Sequence, residues 1–274
     1  MAFTLTLVIL IIYHELLTGS NSVELLSRKY LTDGERLKTF QQGNENSQRR
    51  INFQSSLKRQ AFLNSAMKKS NHSARYGINQ FSDLSPQQFR ERYLTVWNET
   101  APKFDPSMSG IQVKMNYPPK FDWRDHGVVG PVRNQESTKL KLVKEADYPF
   151  EDKAGICQYF PQSHAGVAVR NYSAYDFSGH EEVMMSVLVE SGPLVVIVDA
   201  ISWQDYLGGI IQHHCSSHNA NHAVLMTGYD TTGEVPYWIV RNSWGTSWGD
   251  DGYAYIKIGN DMCGIADNVA AVLV

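Results

Sequence analysis

The reading turns on Asn221-His222-Ala223-Val224-Leu225-Met226-Thr227-Gly228-Tyr229 followed by Pro236-Tyr237-Trp238-Ile239-Val240-Arg241-Asn242-Ser243-Trp244-Gly245-Thr246-Ser247-Trp248-Gly249. His222 opens an apolar run, Ala223 to Met226, that reads as a buried strand. Asn242 closes a second one, Tyr237 to Val240. An imidazole and a carboxamide at the ends of neighbouring strands are placed to meet. The amide oxygen then decides which ring nitrogen carries the proton and how the ring points, which is the orienting half of a Cys-His-Asn catalytic system. Trp244 and Trp248, in the Gly-rich turn beyond, are positioned to roof that contact against water. Taken alone, His222 reads first as a core histidine beside a Trp-rich hairpin.

The string Asn-Ser-Trp-Gly-x-x-Trp-Gly at 242–249 resembles the papain family of cysteine peptidases at the segment bearing the catalytic His and Asn. The resemblance implies an α+β fold: an antiparallel, barrel-like sheet domain beside a helical domain, preceded by a mostly helical inhibitory prosegment. It implies His222 as general base and acid, Asn242 as its orienter, Trp244 as a shield and no cofactor.

Upstream, a second stretch resembles the family's prosegment. Tyr76-Gly77-Ile78-Asn79-Gln80-Phe81-Ser82-Asp83 carries the pattern Gly-x-Asn-x-Phe-x-Asp and reads as a short strand leading into a turn. Ser85-Pro86 then caps a helix through Phe89 to Tyr93. Before it, residues 21–70 are polar and helix-prone. Glu45, Arg49 and Phe53 fall at spacing four on one helical face, as in the family's long prosegment helix. Ser56, Lys58 and Phe62 stand where the rest of that pattern is expected, so half of it is present. Residues 95–118, with Pro102, Pro106, Pro118 and Pro119, read as an extended linker, cut near Tyr117 or Pro118 by analogy with the family. The expected domains are therefore a signal peptide at 1–20, an inhibitory prosegment at 21–116 and a peptidase domain at 117–274.

Phe121-Asp122-Trp123-Arg124 resembles the family's mature start, and Gln135 stands where the family places an oxyanion donor. The nucleophilic Cys should follow six residues later in Cys-Gly-x-Cys-Trp at a helix start, where dipole and His partner depress the thiol pKa. Here the chain reads Glu136-Ser137-Thr138-Lys139-Leu140-Lys141, and that motif occurs nowhere. From Lys141 to His222 is 81 residues, against roughly 130–150 between the two catalytic residues, a shortfall of about 50–70. The family pattern resumes at Lys144-Glu145-Ala146-Asp147-Tyr148-Pro149-Phe150. A contiguous deletion near 135–137, from a skipped exon or a gene-model error, accounts for both. Losing a central helix removes several apolar side chains worth about 1.5–3 kcal/mol each, comparable with a whole domain's ~5–15 kcal/mol. The helical half is thus expected to be truncated, with pieces at 121–135 and about 139–160.

The chain has three cysteines. Cys215 and Cys263 resemble the family's disulfide in the His-bearing domain, leaving Cys157 unpaired, its family partner lying in the missing block. His213-His214 beside Cys215 has a weak zinc alternative. Ser137 lies four positions too early to replace the nucleophile, and no helix start or cationic partner adjoins Cys157.

The remaining signals concern the compartment and the sheet. Met1 to Tyr13 is an uncharged apolar run followed by Thr18, Gly19 and Ser20, which fits a secretory signal peptide. Sequons begin at Asn71, Asn98 and Asn171. Together with the family these imply a lysosomal or extracellular monomeric zymogen acting on protein or peptide substrates and regulated by its own prosegment. A net charge of −3 implies no nucleic-acid partner, and no membrane association is expected after signal removal. Pro193 to Val198 reads as a core strand, Glu181 to Glu190 as a helix, Gly208-Gly209 as a turn, and Tyr253 to Ile258 and Val269 to Val274 as closing strands.

Overall fold

The structure, a computed structural model, describes residues 47–65, 72–95, 97, 99–105, 116–132 and 171–273. The expectations for the signal peptide, Glu45, Asn71, Asn98, Gln135, Ser137, Lys141 and Cys157 fall outside them; for Asn171, the backbone alone is described.

The body of the protein is one sheet in the order β3-β10-β4-β7-β8-β9-β6, with β2 paired to β7. Its strands are β2 (Lys120–Asp122), β3 (Asn171–Tyr175), β4 (Leu194–Val198), β6 (Ile210–Ile211), β7 (His222–Asp230), β8 (Tyr237–Arg241), β9 (Tyr253–Lys257) and β10 (Val269–Leu273). Pairing is antiparallel except for β6 on β9. Among the described residues the sheet is open at β3 and β6, rather than closed into a barrel.

Strand β4, Leu-Val-Val-Ile-Val, is buried on both faces, which is why it is apolar without alternation. Val196, Val198, Val224, Met226 and Val240 face the main core. Val195, Leu225, Ala270 and Val272 face a smaller one, against which Val129, Tyr172 and Ala174 pack. Helix α3 (Glu181–Ser191) closes the main core with Val183, Met184, Val187 and Leu188.

The β7–β8 pairing shifts by one residue between Met226 and Gly228. Such a bulge slips every later side chain by one position. Leu225 consequently faces Arg241, and continuing that register brings position 244 level with His222. Gly228 sits where β2 crosses: a Cβ there would lie 2.4 Å from Phe121 O.

The amino-terminal elements are α1 (Ser47–Ser65), β1 (Arg75–Tyr76) and α2 (Pro86–Tyr93). Helix α2 has a full capping box: Ser85 Oγ accepts from Gln88 N–H, and Gln88 Oε1 accepts from Ser85 N–H. One expectation is corrected here. The strand lies at 75–76, ahead of Ile78, because β1 pairs with β5 (Tyr206–Gly208) of the main body and the chain turns at once afterwards. Lys58 and Phe62 are exposed; the buried face of α1 is Asn52, Ser56, Gln60 and Leu63, and Asn64 brackets the Tyr76 backbone with two hydrogen bonds. That face is mostly polar, so apolar periodicity does not reveal it. Gly209, at φ 81°, lets the 73–74 backbone cross close by: a Cβ would meet Ser73 O at 2.3 Å.

Candidate active site

His222 begins β7 and Asn242 follows β8. His222 Nε2 lies 2.7 Å from Asn242 Oδ1. The amide oxygen only accepts, so Nε2 carries the proton and Nδ1 is the basic nitrogen. Asn242 Oδ1 also accepts from Ser243 N–H at 2.8 Å, which keeps the carboxamide from turning over. Trp244 stacks on the imidazole with ring centroids 4.6 Å apart. Trp203 meets it edge-on at 6.3 Å and in turn stacks on Trp248. His222 and Asn242 are almost fully buried and the three tryptophans completely so. Burial holds the His222 imidazolium down, with a pKa of about 4, against the opposing pull of the Asn242 hydrogen bond. The ring is therefore a neutral, oriented base through most of the acid range.

Sequence reasoning missed three supports. Trp203 stands outside every motif in the sequence, yet it is part of the imidazole's enclosure. Asn221 fixes the backbone entering β7: it donates to Asp199 Oδ1 at 2.8 Å, while its own Oδ1 accepts from Ala200 N–H at 2.9 Å. Phe81, Phe89 and Tyr93 pack edgewise on Trp244 at 5.8, 5.2 and 6.1 Å, and Gln80 Nε2 donates to Trp244 O at 2.7 Å. The segment beyond α2 then runs past His222, with Thr95 N–H donating to Asn221 O and Trp97 N–H to Ala220 O.

The amino-terminal elements are gripped by two consecutive residues of the body. Gln204 donates to Phe81 O and Leu84 O, each at 3.0 Å. The fully buried Asp205 carboxylate accepts from Ser56 Oγ at 2.8 Å, Arg59 Nε at 2.5 Å and Gln60 Nε2 at 3.2 Å. Arg49 pairs with Asp83. A buried carboxylate answered by three donors from one helix face is a specific lock, since losing Arg59 leaves its charge unpaired and losing Ser56 or Gln60 leaves it a hydrogen bond short.

Cys215 and Cys263 are joined by a disulfide. That removes Cys215 as a ligand for the His213-His214 pair, and no group able to hold a metal occurs among the described residues. No described helix is long and apolar enough to cross a membrane.

A tryptophan-roofed His–Asn pair on a mixed sheet, covered by a capped helical segment from the same chain, defines a cysteine-peptidase precursor. The chain belongs to the papain family: residues 136–273 match the papain family cysteine protease, and residues 31–89 match the cathepsin propeptide inhibitor domain. It is 43% identical to cathepsin O of Homo sapiens, over 81% of this chain and 87% of that protein, and 45% identical to cathepsin O of Mus musculus, over 80% and 88%. The fold is shared with a digestive procathepsin L2 of Tenebrio molitor, with a TM-score of 0.72 at 23% identity over 89% of this chain and all of that one. The alignment with the human relative runs over 278 residues, yet draws on 81% of this 274-residue chain, about 222, so about 56 aligned positions have no residue here.

Proposed function

We propose that this cathepsin-O-like cysteine peptidase chain is a secreted or lysosomal zymogen form that retains the base and orienter of a Cys-His-Asn endopeptidase and has lost the nucleophile. His222 Nδ1 would accept and return the proton, Asn242 hold the ring, Trp244 exclude water and Gln135 donate to the oxyanion. One observation carries the reading of inactivity: of three cysteines, two are bonded to each other and Cys157 lacks the Cys-Gly-x-Cys-Trp context. A base and an orienter without an attacking thiolate should leave little peptide hydrolysis. The domain limits are taken as 1–20, 21–116 and 117–274, with a deletion near 135–137; the size of that deletion is supported by the 56 or so aligned positions without a counterpart here, which match the ~50–70-residue shortfall in the Cys-to-His spacing. The test is incubation of the full chain with fluorogenic peptides and an epoxide inhibitor. No turnover and no adduct are expected; an adduct mapped to Cys157 overturns the proposal.

A second reading is favoured by the match of residues 31–89 to the cathepsin propeptide inhibitor domain: the 21–116 segment acts as an inhibitor of related peptidases. Nanomolar inhibition of a papain-type enzyme by the purified chain supports it, and unchanged enzyme activity at micromolar chain counts against it. A third reading, a splice product without a role of its own, is decided by sequencing transcripts across codons 135–137.

A further inference from the structure

Residues 101–104 lie against the end of β3, the edge strand of the sheet. Asp176 N–H donates to Pro102 O and Phe104 N–H donates to Asp176 O, both at 2.8 Å, so the segment adds to the sheet as a parallel bridge. Ala101 N–H donates to Asn268 Oδ1 at 3.0 Å. Phe104 is 6% exposed. Its ring stacks on Phe177 at 4.6 Å and meets Tyr175 and His180 edge-on at 6.0 and 6.1 Å. Lys103 Nζ reaches Asp176 Oδ2 at 2.6 Å and Ser178 Oγ at 2.7 Å. Ser178 also holds Asp176 Oδ1 through its N–H at 2.9 Å and its hydroxyl at 2.6 Å, so the carboxylate is aimed before any lysine arrives. None of these residues belongs to the His222–Asn242 pair or to its aromatic roof.

We propose that this β3 end is a docking site for an extended polypeptide carrying a basic residue followed by an aromatic one, occupied in cis by Lys103-Phe104. Three layers of chemistry read such a segment. Backbone pairing with Asp176 is indifferent to sequence, as in other strand additions to a sheet edge. The box of Tyr175, Phe177 and His180 takes the aromatic ring, which is the anchor. The prepositioned Asp176–Ser178 pair selects the charge of the preceding residue but, with Lys103 itself exposed, the ion pair adds little to affinity. The cis segment is covalently tethered, and an effective concentration on the order of mM masks the site from free peptides. The site does not depend on catalysis, so its fate is separate from that of the peptidase reading.

The test uses the full chain with Phe104→Ser, which empties the box, and a fluorescein-labelled peptide Thr-Ala-Pro-Lys-Phe-Asp, followed by anisotropy. Saturable binding is expected for the variant, at least tenfold tighter than for the unaltered chain, and lost when Ser replaces Phe in the peptide. Phe104→Leu, which keeps an apolar side chain in the box, is run in parallel so that unfolding of the first variant does not decide the result. The proposal is overturned if neither variant binds the peptide saturably below about 1 mM, or if the variants and the unaltered chain bind it equally.

Discussion

Acidification should unsettle this protein through a single imidazole. His222 is enclosed by Trp244, Trp203 and Asn242, and burial lowers its pKa from 6.5 to about 4. The unfolded chain takes up the proton near pH 6.5, whereas the native ring takes it up only near 4. Between those values the unfolded state holds more protons, so stability falls as the pH falls through that window. At about 1.4 kcal/mol per pH unit the loss is about 3 kcal/mol by pH 4, a large part of a typical ~5–15 kcal/mol. The assay is urea unfolding at pH 7, 6, 5 and 4 for the unaltered chain and for His222→Phe, which keeps an aromatic ring and cannot titrate. The variant's stability should decline less over this range, the gap changing by about 3 kcal/mol. Parallel profiles for the two chains, or an imidazole NMR midpoint near 6.5, refute the argument that burial keeps this base neutral.

Arg59→Ala strands the fully buried Asp205 carboxylate and should cost about 3–5 kcal/mol; adding Asp205→Asn should restore part of that, and additive losses in a double-mutant cycle would contradict the lock. Asp261, raised to about 7 by burial with like charge from Asp267 and Glu181, runs in the opposite sense to His222. Its native form keeps a proton that the unfolded chain releases near 4, so its contribution is lost as the pH rises through about 7. Asp261→Asn should flatten the decline in stability that this group adds as the pH rises from 4 to 7, and an unchanged slope counts against it. Replacing both Cys215 and Cys263 by Ala opens a link spanning 48 residues. It should destabilise by about 4 kcal/mol on loop entropy, read as a lower urea midpoint; a midpoint that does not move would show that the link constrains little.

The chain's own letters determined the sheet and its chemistry wherever the signal is local. Continuous apolar runs at 194–198 and 223–226 read as buried strands, Ser85-Pro86 opens a helix, and the Asn-Ser-Trp-Gly string marks its histidine. Missing letters are just as legible: the sequence supplies no thiol in the setting the reaction requires. What only the tertiary structure decided is set by long-range contact. The bulge at Thr227 brings Trp244 level with His222, a one-residue choice that no propensity encodes. The buried face of α1 is polar because its partner is Asp205, some 150 positions along the chain, so hydrophobic periodicity does not mark it. The Phe104 box, likewise, exists only once residues 101–104 meet β3. Strand and cap signals act within a few residues, whereas register, charge pairing and edge addition are settled only when distant segments compete for the same surface.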